Sequence, residues 1–226
     1  FEYHLLLVKG TFFTLAEALK KAKKREKMDE LVQSLQGLGA TGAFTVDQYQ
    51  MWNAITGRTP TDIQAIQGAI QGEASRKDKF IAGAKRRQQI DDLAGSLKKL
   101  GRVGFFSLFG KVSDFNPDLY RMFNAITDLT GPEEQEIRLA IKGHAKRKSD
   151  FFTGAGKQKQ VDELVEVIKA LDDAPVGEEH YRKWNDIDNP SKDQQAIVRE
   201  ALKSAEKQTF FTRAEALKKS NLKREK

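Results

Sequence analysis

One phrase is written three times in this chain: YQMWNAITG at residues 49–57, YRMFNAITD at 120–128 and YRKWNDIDN at 181–189. No other feature limits the fold so strongly, because self-similarity at such a period marks stacked units that bury a face only against a neighbour. The tyrosines are separated by 71 residues (120 − 49) and then 61 (181 − 120). A second phrase precedes each: MDEL at 28–31, IDDL at 90–93 and VDEL at 161–164. After each comes a proline with acids beside it, in TPTDIQAI, GPEEQEIRLAI and NPSKDQQAI. That is a helix start, since proline fits the first turn and carboxylates favour its positive end.

Phenylalanines at Phe12-Phe13, Phe80, Phe151-Phe152 and Phe210-Phe211 read as the openings of successive units. The expected division is a lead-in over 1–11, helical repeats over 12–79, 80–150 and 151–209, and the start of a fourth over 210–226. TFFTLAEALKKAKKREK at 11–27 returns as TFFTRAEALKKSNLKREK at 209–226, a longer period of 198 residues (209 − 11). With Phe1 rather than methionine at the start, the expectation is a segment or processed product of a larger array.

The tyrosine phrase reads as a short helix. At ~100° per residue its Tyr, aromatic and Ile positions share one face and its Asn sits on the rim. The structural core of the repeats is therefore expected at Tyr49, Trp52, Asn53 and Ile55, at Tyr120, Phe123, Asn124 and Ile126, and at Tyr181, Trp184, Asn185 and Ile187. A half-buried amide needs partners, so the asparagines are expected to tie one helix to the backbone of another and set register. Thr45 with Gln48 spells a capping box, Asn116-Pro117 a cap plus first-turn proline, and Gly57 a stop.

Between the phrases run long stretches such as 61–100 and 132–171. They predict single helices of ~60 Å whose two ends serve adjacent units. The fold class is thus all-α, as tandem three-helix repeats sharing long connecting helices in an elongated array. The competing arrangement breaks each stretch near Gly72, Gly83 or Gly143, where glycine costs about 1 kcal/mol in a helix. Arg76-Lys77 and Lys85-Arg86-Arg87 occupy too many faces to be buried. The aromatic stretch Gly101–Phe115 occurs in the second unit only and is expected to fold over the core as a loop.

Charge is banded with the same period. Residues 18–27 hold six basic residues against one acidic, 73–90 six against two, 142–159 six against one and 203–226 eight against three. The bands total +19 within a net charge of +7, so the rest carries −12. A periodic cationic stripe can bind a polyanion through counterion release without reading bases. The candidate residues are Lys20, Lys21, Lys23, Lys24, Arg25, Arg76, Lys77, Lys85, Arg86, Arg87, Lys146, Arg147, Lys148, Lys157, Lys159, Lys218 and Lys219. The competing reading is a solvated surface, or bands meeting acidic parts of a neighbouring copy.

Catalytic chemistry has no visible machinery. There is no cysteine, and His4, His144 and His180 lie far apart in sequence with no serine placed as nucleophile. GFFSLFGKV at 104–112 imitates a phosphate loop but has five residues between its glycines and valine where a magnesium-holding hydroxyl belongs. TGAGKQK at 153–159 takes the place of IAGAKRR at 81–87 and lies within a helical stretch. Asp29-Glu30, Asp91-Asp92 and Asp162-Glu163 recur with the unit and read as solvent-facing helix acids. The expectation is a non-enzymatic scaffold or protein-interaction module with no cofactor and no metal. Its partner is expected to be a protein or a second copy, with sequence-independent nucleic-acid binding as the alternative. No apolar run approaches the ~20 residues of a membrane span.

Overall fold

A computed structural model describes residues 2–100, 115–171, 174–203, 206–207 and 209–224, with side chains from residue 14 to residue 221. The described residues are all-α, without strands. Ten helices follow one another: α1 (Glu2–Gly37), α2 (Val46–Asn53), α3 (Pro60–Ala69), α4 (Ala74–Leu100), α5 (Pro117–Asn124), α6 (Gly131–Ala140), α7 (Ala145–Lys169), α8 (Glu178–Asn185), α9 (Lys192–Ala201) and α10 (Phe210–Arg224). The chain divides into two compact units, residues 1–91 and 92–226.

Helix starts follow from local chemistry. Thr45 and Gln48 exchange side chain-to-backbone bonds of 3.3 and 3.0 Å at the head of α2. Thr59 with Asp62 does the same for α3, and Ser191 with Gln194 for α9. Asn116 accepts from the Leu119 N–H at 3.0 Å before Pro117. Each satisfies orphan donors of a first turn.

The long stretches do not run as single helices. α3 and α4 are separated at residues 70–73, α6 and α7 at 141–144, and α9 and α10 at 202–209. Ile70, Ile141 and Leu202 leave the helix in extended conformation and are buried as they do so. Gly72 and Gly143 follow at φ +102° and +113°, where a Cβ is disfavoured. The break is favoured because it turns one more aliphatic side chain into the core and redirects the chain, outweighing a helical bond or two. Gly83 does not break α4. Gly57 likewise does not end α2, which stops at Asn53. Gly57, Asp128 and Asn189 share a left-handed conformation four residues after each asparagine, which glycine, aspartate and asparagine tolerate best.

In the first unit the core gathers Met28, Leu31 and Leu35 of α1, Trp52 and Ile55, Ile66, Ala69 and Ile70, and Phe80 and Ala84 of α4. In the second unit a core of the same pattern gathers Val161, Leu164, Val165 and Ile168 of α7, Trp184 and Ile187, Val198 and Leu202, and Phe210 and Ala214 of α10. Between them in sequence, Leu93, Leu97, Leu119, Ile126, Ile137, Ile141, Phe151 and Ala155 are also buried. Phe80, Phe151 and Phe210 therefore sit among the rings of the tyrosine phrase that precedes them, and the first compact unit runs on to Asp91, past the expected boundary at 79/80. The Gly101–Phe115 stretch lies outside the described residues except Phe115, whose ring stands 5.0 Å from Phe151.

Candidate interaction surface

The tyrosine helices meet the following long helix in one way. Asn53 Nδ2 donates to the Ala84 carbonyl at 2.8 Å, Asn124 to Ala155 at 2.9 Å and Asn185 to Ala214 at 2.7 Å. Each acceptor alanine is fully buried and stands four residues after a buried phenylalanine. The phenylalanine packs on the rings that lead the phrase: Phe80 against Tyr49 and Trp52, Phe151 against Tyr120 and Phe123, and Phe210 against Tyr181 and Trp184. Ring pairs at these centroid distances are tilted or edge-on, the arrangement their quadrupoles favour. Phe-x-x-x-Ala is thus the structural complement of Tyr-x-x-(Trp/Phe)-Asn-x-Ile. The recurrence of that pair at 80/84, 151/155 and 210/214 is the sequence signal that would have located it.

The recurring acids are not simply solvent-facing. Asp91 accepts from Arg87 on its own helix and from Gln50 of α2 at 3.4 Å. Asp162 accepts from Gln158 at 2.9 Å and from Arg121 of α5 at 2.9 Å. The two sites use the same residue types at exchanged places: Gln50 with Arg87 in one, Arg121 with Gln158 in the other. One guanidinium per carboxylate is kept, and the Asp162 contact pushes the Arg121 pKa further up. Arg87 is buried although its band looked too charged for it, because Asp91 one turn on neutralises the guanidinium. Arg87→Gln alone is expected to cost about 1–2 kcal/mol by leaving Asp91 without its cation. Adding Gln50→Arg should recover most of it, and denaturant titrations of both variants against the parent check this. Equal stability losses in the single and the double variant would contradict the exchange.

Several of the banded cations are engaged. Arg76 donates to the carbonyls of Gly39, Gly42 and Gln71 and stacks on Phe44 at 4.8 Å, so it clamps the turn after α1. Arg147 bonds the Lys142 carbonyl at 3.0 Å and lies 5.0 Å from the Phe115 ring. Lys146 pairs with Asp150 at 2.8 Å, Lys157 approaches Asp188 at 3.8 Å and Lys219 pairs with Glu215 at 2.7 Å. Lys24 reaches both Asp62 and the Gly57 carbonyl at 2.6 Å, joining α1 to α3. That lysine and then the Thr59 N–H hold the Asp62 carboxyl down to about 2. Lys77, Arg86 and Lys148 are half-buried, whereas Lys85, Lys159 and Lys218 are exposed.

The band on α1 differs. Lys20, Lys21, Lys23 and Arg25 are exposed and form no ion pair among the described residues. They flank Leu15 and Leu19, exposed to 71% and 57% of their surface. Ala16, Leu19, Lys20, Lys23, Ala54 and Ile55 line a groove of about 310 Å³ in the first unit. An apolar strip edged with uncompensated lysines is the arrangement that most resembles an interaction surface here.

A larger cleft, about 670 Å³, lies in the second unit beside Tyr120, Arg147, Lys157 and Ser191. The Ser191 hydroxyl oxygen is used in the cap of α9, and no histidine lines the cleft. His180 is instead a buried residue in the first turn of α8, where its Nδ1 accepts from the Gly177 N–H at 3.0 Å. His144 heads α7. TGAGKQK lies inside α7, where Gly154 receives the Tyr120 ring, so it forms no phosphate cradle. GFFSLFGKV lies outside the described residues. Among the described residues no group of three acidic or histidine side chains is placed to hold a metal, and no helix is long and apolar enough to cross a membrane. No family model, curated protein or solved structure matches the chain.

Proposed function

We propose that the chain is a non-enzymatic array of tandem three-helix units serving as a scaffold or protein-interaction module. One observation carries the reading: the asparagine-to-alanine carbonyl bond made at Asn53, Asn124 and Asn185, each beside a buried phenylalanine. A fixed joint with varied residues around it suits stacked units that present different faces to partners. In this reading a unit is closed by the Phe-x-x-x-Ala segment that follows it, and the surface offered to a partner is the apolar, lysine-edged strip of α1.

The uncompensated lysines of that strip favour one second reading, contact with a polyanion by charge alone. A mobility-shift titration of the chain with single- and double-stranded oligonucleotides at low and moderate salt separates the two. The module reading expects at most weak binding that vanishes as salt rises. A tight complex, with an affinity whose salt slope reports several phosphates neutralised and falls on substitution of Lys20, Lys21 and Lys23, would replace it with the polyanion reading.

A further inference from the structure

A stack of arginine on phenylalanine covers the same spot beside two of the tyrosine helices and is missing beside the first. Phe152 follows Phe151 and Phe211 follows Phe210, whereas Ile81 follows Phe80. On the facing helix Arg138 comes directly after the buried Ile137 and Arg199 after the buried Val198, whereas Gln67 comes after Ile66. The Arg138 guanidinium lies 4.0 Å over the Phe152 ring, and that of Arg199 lies 5.3 Å over Phe211. Neither member of that stack exists in the first unit. There Trp52, Ile63, Ile81 and Ala82 border a groove of about 510 Å³, lined from α2, α3 and α4.

The groove has a cation of its own. Arg58, directly after Gly57, lies 4.5 Å over the Trp52 ring, at a place held by Leu129 and Pro190 in the other two occurrences. Stacking uses the face of a guanidinium and leaves its N–H donors free at the edge; those of Arg58 meet no acceptor among the described residues. Lys85 also lines the groove, is exposed and forms no ion pair among the described residues. Against these two cations the lining holds one acid, Asp78. The second unit shows what completes such a stack: Glu134 Oε1 accepts from the Arg138 guanidinium at 2.9 and 2.6 Å, joining ring, guanidinium and carboxylate. In the first unit Ile63, 37% exposed, takes the place of Glu134, so ring and guanidinium are present and the carboxylate is not.

We infer that this groove is a docking site for an acidic, aliphatic segment of a protein partner, which sets a carboxylate on Arg58 and lays an aliphatic side chain over Ile63, Ile81 and Ala82. This rests on the interaction-module reading and gives it a second surface with a partner of stated chemistry. The Trp52 ring already holds the guanidinium, so pairing it with a carboxylate orders little more of the protein. Lys85 adds attraction for the same charge during approach. The two parts of the ligand depend on each other. A carboxylate without an apolar neighbour leaves Ile63 in water, whereas an apolar side chain without an acid covers the Arg58 donors and leaves them unpaired.

The probe is an end-blocked, fluorescein-labelled peptide of leucine and glutamate, about 12 residues long with its leucines three and four apart, titrated with the full chain and read by anisotropy. Saturable binding is expected, weakened at least about tenfold by Arg58→Gln, which removes a charged hydrogen-bonded pair. A chain carrying Ile63→Glu, Gln67→Arg and Ile81→Phe, which writes the second unit's own stack into the first, should lose binding while keeping its helical circular dichroism. Arg58→Gln alters an exposed side chain, so it decides the matter if the triple variant loses helicity. No binding at concentrations up to about 1 mM overturns the inference, as does undiminished binding by Arg58→Gln or by a helical triple variant. Equal binding of a peptide with glutamine for every glutamate overturns it too; none of these results touches the module reading. An all-glutamate peptide of the same length that binds as tightly as the leucine-containing one would show that charge alone is read, and would overturn both this inference and the module reading.

Discussion

A chain with alanine in place of Phe151 is expected to lose about 3–5 kcal/mol of unfolding free energy. Phe151 is fully buried and its ring is approached by Phe115 at 5.0 Å, Tyr120 at 5.5 Å, Phe152 at 5.4 Å and Phe123 at 5.7 Å. Removing it strips a ring contact from four aromatic neighbours at once and leaves a cavity they are too rigid to fill. A domain of ordinary stability holds roughly 5–15 kcal/mol, so the second unit would stand near its limit. Guanidinium titration followed by Trp184 fluorescence reads the loss. Phe151→Leu should cost less, because it keeps the apolar volume and forfeits the ring edges. A loss below about 1 kcal/mol for the alanine variant would mean that the ring cluster is loosely packed and does not carry the joint.

Gly154→Ala is the second large effect, and its sign runs against helix propensity. Alanine is about 1 kcal/mol better than glycine inside a helix, so the change would ordinarily stabilise α7. Here an added Cβ would stand 2.5 Å from both the Cζ and the hydroxyl oxygen of Tyr120. The ring cannot retreat freely, since Phe115 and Phe151 flank it. The variant is expected to lose about 1–3 kcal/mol, as overpacked cores do. In a Tyr120→Leu background the same change should become neutral or favourable, because the opposing ring is gone and only propensity remains. Thermal or denaturant midpoints of the four chains of this cycle decide it; a raised midpoint for Gly154→Ala alone would show that the ring yields. Gly83 faces Tyr49 in the same way, at 2.6 Å. The third occurrence has Arg213 at that position, and there the Tyr181 hydroxyl bonds the Val176 carbonyl at 3.3 Å.

How far the chain could be read without its structure differs by element. Caps were legible at Thr45 and Asn116, because a cap is settled by residues within one turn of each other. The apolar faces of α2, α5 and α8 were legible for a similar reason, as helical periodicity needs only a few consecutive residues. Where α3 gives way to α4 was not, since glycine at Gly72, Gly83 and Gly154 looks alike in sequence. Only at Gly72 does a buried isoleucine just before it gain from leaving the helix, whereas Gly83 and Gly154 serve a tyrosine that arrives from another helix.

The candidate surface shows the same division. Counting charges found all four basic bands, but a count cannot tell Arg76, spent on three carbonyls, from Lys21, which faces solvent. Nor could it tell that the recurring acid Asp91 takes Arg87 and Gln50 where Asp162 takes Gln158 and Arg121. By itself the sequence determined the all-α class, the thrice-written helix and the rim position of its asparagine, all consequences of short-range spacing. The tertiary structure alone decided where the long stretches break, which cations are consumed, and that each phenylalanine belongs with the tyrosine before it. Those outcomes turn on which atoms meet across tens of residues, where packing and desolvation outweigh anything a local pattern encodes.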